Sequence, residues 1–190
     1  MRVFAFILAC LMVSAGEAAA HPSITHTFSF AAGLSHPLSG LDHLLAMVAV
    51  GFWAALAGGR RVWIWPLAFV ASMLAGGALA QEGVAIPNIE PAIAASVAVL
   101  GLAIALLLKL PVAAGAVLIA SFGVAHGYAH GLEAPGNGWT LYAAGFVLAT
   151  AALHLTGIAG GLLIARKANA LVPRAIGAFT AVAGLTLLMP

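Results

Sequence analysis

The sequence predicts an all-α fold: a polytopic membrane bundle of six transmembrane helices that follows a cleaved signal peptide. Three observations carry this reading. Of the 190 residues, 64% are hydrophobic and only 6% are charged, against about 25% charged in ordinary soluble domains. The apolar residues fall in helix-length runs joined by short connections, which favour antiparallel neighbours in a bundle. The few charges sit almost entirely in those connections, so the formal net charge of +2 points to no nucleic-acid partner. The expected surrounding is the lipid bilayer.

Residues 1–20 read as the signal peptide. Arg2 supplies a basic start, residues 3–15 an apolar stretch, and Ala18-Ala19-Ala20 a small-residue cleavage site. A retained first span is disfavoured, because the stretch falls short of the roughly 20 residues that a crossing needs. Cleavage would remove Cys10, the single cysteine. Neither a disulfide within the chain nor a cysteine-rich metal site is therefore expected.

Residues 21–190 read as one domain with spans at 37–57, 62–80, 91–108, 111–129, 139–165 and 171–189. Pro37, Pro91 and Pro111 stand at first helical positions, where the missing N–H costs nothing. Pro66 predicts a mild kink in the second span. The bases then orient the bundle. Arg60 and Arg61, Lys109, and Arg166 and Lys167 fall between spans one and two, three and four, or five and six, and Arg174 lies in the first turn of span six on that same side. The alternate connections carry Glu82, Glu90 and Glu133 but no base. By the positive-inside rule the basic connections are cytoplasmic and both termini of the mature chain lie outside. Trp139 and Tyr142 near the outer interface, with Trp53, Trp63 and Trp65 near the inner one, read as aromatic belts. No internal repeat is evident.

Polar groups inside such spans carry the chemistry. An Asp at the centre of a membrane helix costs about 2.5–3.5 kcal/mol on insertion scales, yet Asp42 and His43 lie within the first span. His36 and His43 stand seven apart, two helical turns, and share a face if the helix continues through Pro37. Asp42 either completes a metal site or orients a ligand. His126 and His130 form an i, i+4 pair on one face of the fourth span. Glu133 either joins that face or is a solvated loop carboxylate.

Counting 1.5 Å per residue puts Asp42 and His43 roughly 8 Å below the outer surface and His126 roughly 7 Å below it. His130 then lies at the mouth, and His154 roughly 20 Å in, near the midplane. His154 is open to two readings: a metal ligand, or an interhelical hydrogen bond. Gly123, Gly127 and Gly131 form a GxxxGxxxG stripe beside the histidines, which lets another helix approach closely. His21 and His26 lie in the amino-terminal stretch, where histidine is unremarkable.

Imidazole suits nickel, cobalt, zinc or copper(II) and disfavours magnesium and calcium. Missing thiols and sparse methionines argue against copper(I), although Met47 lies one turn from His43. At His36-Pro37-Leu38-Ser39-Gly40-Leu41-Asp42-His43-Leu44-Leu45-Ala46-Met47 and His126-Gly127-Tyr128-Ala129-His130-Gly131-Leu132-Glu133 the chain resembles the HupE/UreJ family of nickel/cobalt permeases. His154-Leu155-Thr156-Gly157 is a third, weaker piece of that likeness. The segment from His36 to His43 is also similar to the HxxxxDH signature of a larger nickel/cobalt transporter family, but one residue longer.

The resemblance covers essentially the whole chain. It implies a permease of the bacterial cytoplasmic membrane that imports Ni2+ or Co2+ and serves hydrogenase or urease maturation. His36, Asp42 and His43 would be needed for transport, with His126, His130 and Glu133 contributing. The ion is then cargo, and no permanently bound cofactor and no enzymatic activity are expected. Two other classes remain open: a b-type membrane cytochrome with haem between His126 and His154, and a membrane metalloenzyme. The cytochrome leaves Asp42 without a role, and no HExxH motif supports the enzyme.

Because only neutral imidazole binds metal, uptake should fall as external pH drops below about 6.5. Initial uptake rates that stayed level or rose between about pH 7 and about pH 5.5 would count against histidine ligation, unless proton coupling offset the loss.

Overall fold

Ser29 caps the first helix, its hydroxyl oxygen accepting the Ala32 N–H at 3.1 Å. The computed structural model describes residues 29–134 and 138–189. Among them seven helices follow in order: α1 (Phe30–Ser39), α2 (Leu41–Ala57), α3 (Arg61–Gln81), α4 (Ile89–Ala105), α5 (Val112–Glu133), α6 (Trp139–Lys167) and α7 (Leu171–Leu187). The described residues contain no strand. The signal peptide, His21 and His26 lie outside them.

The first predicted span is where local chemistry departs from the expectation. Instead of one helix starting at Pro37, the chain forms α1 and α2, bent by 87° at a break. Pro37 lies inside α1, and the corner falls at Gly40, whose backbone is extended at φ −101° and ψ 124°. Two side chains hold that corner. Ser39 Oγ donates to the His36 carbonyl at 2.7 Å, and Asp42 Oδ1 accepts the His43 N–H at 2.8 Å in the first turn of α2. A Cβ at position 40 would stand 2.7 Å from Asp42 Oδ1, so a larger residue there would press on the carboxylate that holds the corner.

The other prolines shift for a simple reason. Pro91 is the third residue of α4 and Pro111 caps α5. The first four N–H groups of any helix lack an internal partner, so proline tolerates both of these places. Pro66 lies within α3, which runs on without a break.

Helices α3, α5 and α6, of 21, 22 and 29 residues, are each long and apolar enough to cross a membrane, and the bent α1–α2 pair adds a fourth candidate. Helices α4 and α7 are apolar but have 17 residues each, about 25 Å of rise against a hydrocarbon core of about 30 Å. Helix α4 stops early because its end curls. Leu107 takes the left-handed conformation at φ 53°, and Leu108 N–H donates back to the Ala103 carbonyl at 2.9 Å, the Schellman pattern.

Helix α2 is the core element, buried around most of its circumference. It lies along α6, where a Cβ on Gly51 would collide with the His154 carbonyl and one on Gly157 with that of Val48. Helix α5 lies along α3 through the glycine stripe, with Gly123 against Phe69 and Ser72, Gly127 against Met73, and Gly131 against Gly77 and Ala80. Apolar surface gives no drive for helix association in lipid, so such close backbone contacts supply it.

At one end of the bundle Arg61 donates to the carbonyls of Leu110, Ala57 and Gly58. Arg174 reaches the Ala105 carbonyl there, so the basic connections gather on one side. At the other end Gln81 donates to the carbonyls of Gly131 and Ala134, and the Tyr128 hydroxyl straps residues 84 and 86.

The aromatic-belt reading needs correction. Trp63 is exposed, but Trp53 and Trp65 are buried. They stack with ring centroids 4.5 Å apart and donate to the carbonyls of Leu108 and Val112. They hold the α4–α5 connection rather than the lipid interface. Tyr142 is likewise buried.

Candidate metal site

The corner at Gly40 turns His36, on α1, to face the start of α2, where the imidazoles of His36 and His43 lie 6.1 Å apart. The expected meeting of His36 and His43 therefore occurs across a bend, not along one helical face. Helix α5 brings the third ring. It continues a full turn beyond its predicted end, through Glu133, and sets His130 4.4 Å from His43 and 4.6 Å from His36, centroid to centroid. His126, one turn deeper, lies 5.0 Å from His43. His36, His43 and His130 each offer a ligand atom, and the three atoms lie within 4.8 Å of one another. With metal–nitrogen bonds of about 2.0–2.1 Å, neighbouring donors on a tetrahedral ion stand about 3.3 Å apart. Side-chain rotations that draw the rings inward would bring them to that spacing.

The surrounding hydrogen bonds engage one nitrogen of His43, His126 and His130 and leave the other without a partner. Asp42 Oδ1 lies 2.6 Å from His43 Nδ1. A neutral ring that donates to this carboxylate through Nδ1 presents a lone pair at Nε2, which is buried and without a hydrogen-bond partner. This is the carboxylate–histidine arrangement that orients metal-binding imidazoles, and it suits the reading in which Asp42 orients a ligand. Ser96 Oγ donates to the Ile93 carbonyl at 2.7 Å, so it accepts from His126 Nε2 at 3.1 Å and leaves Nδ1 bare. Glu133 Oε2 lies 3.4 Å from His130 Nδ1 and 3.4 Å from His36 Nε2, and His130 Nε2 is the unpartnered atom. Glu133 thus joins the histidine face; it is no isolated loop carboxylate.

His43 Nε2, His126 Nδ1 and His130 Nε2 are therefore buried without a protein hydrogen-bond partner, on rings that pack against one another. An uncompensated buried nitrogen costs on the order of 1–3 kcal/mol, a cost that a cation bound among these rings would offset. The two carboxylates flanking neutral imidazoles match a doubly charged cation. Phe146 packs 4.2 Å from the His130 ring and holds it in place.

His154 stands apart from this group. It is buried with Nε2 unpartnered, and the Phe69 ring lies 5.3 Å from it and 5.5 Å from His126. Phe69 is fully buried and packs against both of those histidines. Sequence reasoning overlooked Ser96 and Phe69. A lone serine inside an apolar run was a usable signal for the first; nothing in the pattern marked the second.

Residues 8–187 match the family described as HupE / UreJ protein. The chain belongs to the HupE/UreJ family. A relative, "Protein HupE" from Rhizobium leguminosarum bv. viciae, is 47% identical over 179 residues, covering 90% of this chain and 94% of the relative. No solved structure matches this HupE/UreJ chain.

Proposed function

We propose that the chain is a secondary permease that imports Ni2+, or Co2+, across the bacterial cytoplasmic membrane and supplies nickel enzymes such as hydrogenase or urease. The observation that carries this reading is the convergence of His36, His43 and His130 within 4.8 Å inside an apolar helical bundle. Family membership supports the same cargo. The cation is substrate, so neither a resident cofactor nor covalent chemistry enters the mechanism, and the chain is not an enzyme.

In this mechanism the hydrated cation meets Glu133, the most exposed ligand candidate at 56%. It exchanges water for imidazole nitrogens of His36 and His130, then His43 and His126. Asp42 keeps the His43 lone pair aimed at the ion and offsets its charge. His154 supplies a later ligand. Conduction demands that each stop bind well enough to admit the ion yet weakly enough to release it, which a graded series of neutral imidazoles provides.

The topology that suits this is six crossings, with the α1–α2 pair counted as one broken span. Broken helices commonly line membrane transport sites. The basic ends face the cytoplasm by the positive-inside rule, and cleavage after Ala20 leaves both mature termini outside.

Radioactive nickel uptake by intact cells tests the reading, comparing wild type with Asp42→Asn and His126→Ala at equal expression. The neutral amide introduced by Asp42→Asn cannot accept the Nδ1 proton as a carboxylate does, so uptake should fall about 10–100-fold. His126→Ala should also lower uptake. Equal uptake in all three, or none by the wild type, would end the permease reading.

A further inference from the structure

Thr150, on α6, is fully buried, and its hydroxyl is aimed in an unusual direction. Threonines within helices commonly donate to the carbonyl four residues back, as Thr156 does to Ala152 and Thr180 to Ile176. Thr150 Oγ1 instead donates to Met47 Sδ at 3.3 Å and Met73 Sδ at 3.8 Å. Sulfur is a weak acceptor, so hydrogen bonding alone is a poor reason for this convergence. Two thioethers, from α2 and α3, and one hydroxyl, from α6, meet at one point in the bundle interior.

Their place in the bundle gives that point a use. Met47 lies one turn inward from His43 on α2, Met73 one turn from Phe69 on α3, and Thr150 one turn from His154 on α6. The three therefore occupy the level between the histidine cluster and His154. Met73 and His130 also line one small cavity. An ion that leaves His43 and His126 inward needs donors before it reaches His154, and these three side chains stand at that level.

We infer that Met47, Met73 and Thr150 form a transit site for a polarizable divalent cation between the histidine cluster and His154. This deepens the permease reading and rests on it. Thioether sulfur favours softer metals over magnesium or manganese, so the layer adds discrimination after the imidazoles have bound. Its ligands are weak, as a position that must release its ion requires.

The experiment compares wild type with Met47→Leu/Met73→Leu, Thr150→Val and Thr150→Ser. Initial rates of radioactive nickel uptake by cells are measured over a concentration series. Equilibrium Ni2+ binding to the purified full chain is measured in parallel. Leucine conserves volume and is well tolerated in place of methionine; should the double variant fail to fold, each single leucine variant and the Thr150 pair carry the test.

The expected result is a maximal uptake rate about tenfold lower or less in the leucine and valine variants, because the softer donors are gone. Nickel affinity at the histidine cluster should be unchanged, and Thr150→Ser should recover most of the rate lost in Thr150→Val. A folded leucine variant that transports at the wild-type rate would overturn the transit site and leave the permease standing. So would a parallel loss of affinity, which would make the sulfurs packing for the histidines. A wild type that moves no nickel would overturn both.

Discussion

Replacing His43 with alanine should lower nickel uptake by more than about a hundredfold, beyond the 10–100-fold typical of losing an orienting partner alone. His43 is the ring that the other three share. It lies 6.1 Å from His36, 4.4 Å from His130 and 5.0 Å from His126. Its Nε2 is buried without a hydrogen-bond partner. Truncation removes that donor and breaks the succession from the outer pair to the deeper His126. It also strips Asp42 of its nearest partner, held at 2.6 Å, so a carboxylate is left at the head of α2 with no imidazole to orient.

Asp42→Asn spares the donor and should cost less, which gives the comparison its force. Uptake rates and nickel affinity of the purified protein check the order. Should His43→Ala transport as well as Asp42→Asn at equal expression, His43 is not the central ligand.

Part of this site was legible from residues alone. The cost of a carboxylate in lipid marked Asp42 and His43, and helical spacing put His126 and His130 on one face. The depth estimates also placed His43 and His126 at a common level, and their rings do meet. What periodicity missed is the corner. A hydropathy reading averages over a window and passes smoothly through Gly40, because Leu38 and Leu41 keep the run apolar. The break depends on individual hydrogen bonds from Ser39 and Asp42, which hydropathy does not register. The length of α5 was misjudged for a related reason. His130 and Glu133 look like the start of a polar loop, yet each is held within the last helical turn by contact with the other. Trp53 and Trp65 were misread because a tryptophan near a span's end has the same sequence signature whether it faces lipid or bonds a neighbouring carbonyl.

Gly127→Ala should destabilise the folded protein by about 1–3 kcal/mol, the usual range for overpacking a close contact, and Gly127→Leu should abolish folding. The added Cβ would run into the carbonyl of Met73, a backbone atom on α3 that cannot rotate away. Relief requires α3 and α5 to separate along the stripe that joins them. The same substitution at Gly160, on α6, provides the control, since a Cβ there meets only the edge of Phe52 at 3.9 Å. Gly160→Ala should be neutral or stabilising, because alanine is favoured over glycine in a helix by about 1 kcal/mol. Thermal unfolding of the detergent-solubilised variants reads the difference, and equal melting temperatures for the two alanine variants would refute it. Gly127 also lies between His126 and His130 in sequence, so displacement of α5 from α3 shifts both rings relative to His43. Gly127→Ala should therefore lower nickel uptake and Gly160→Ala should not, which ties transport to the backbone contact that positions the histidines.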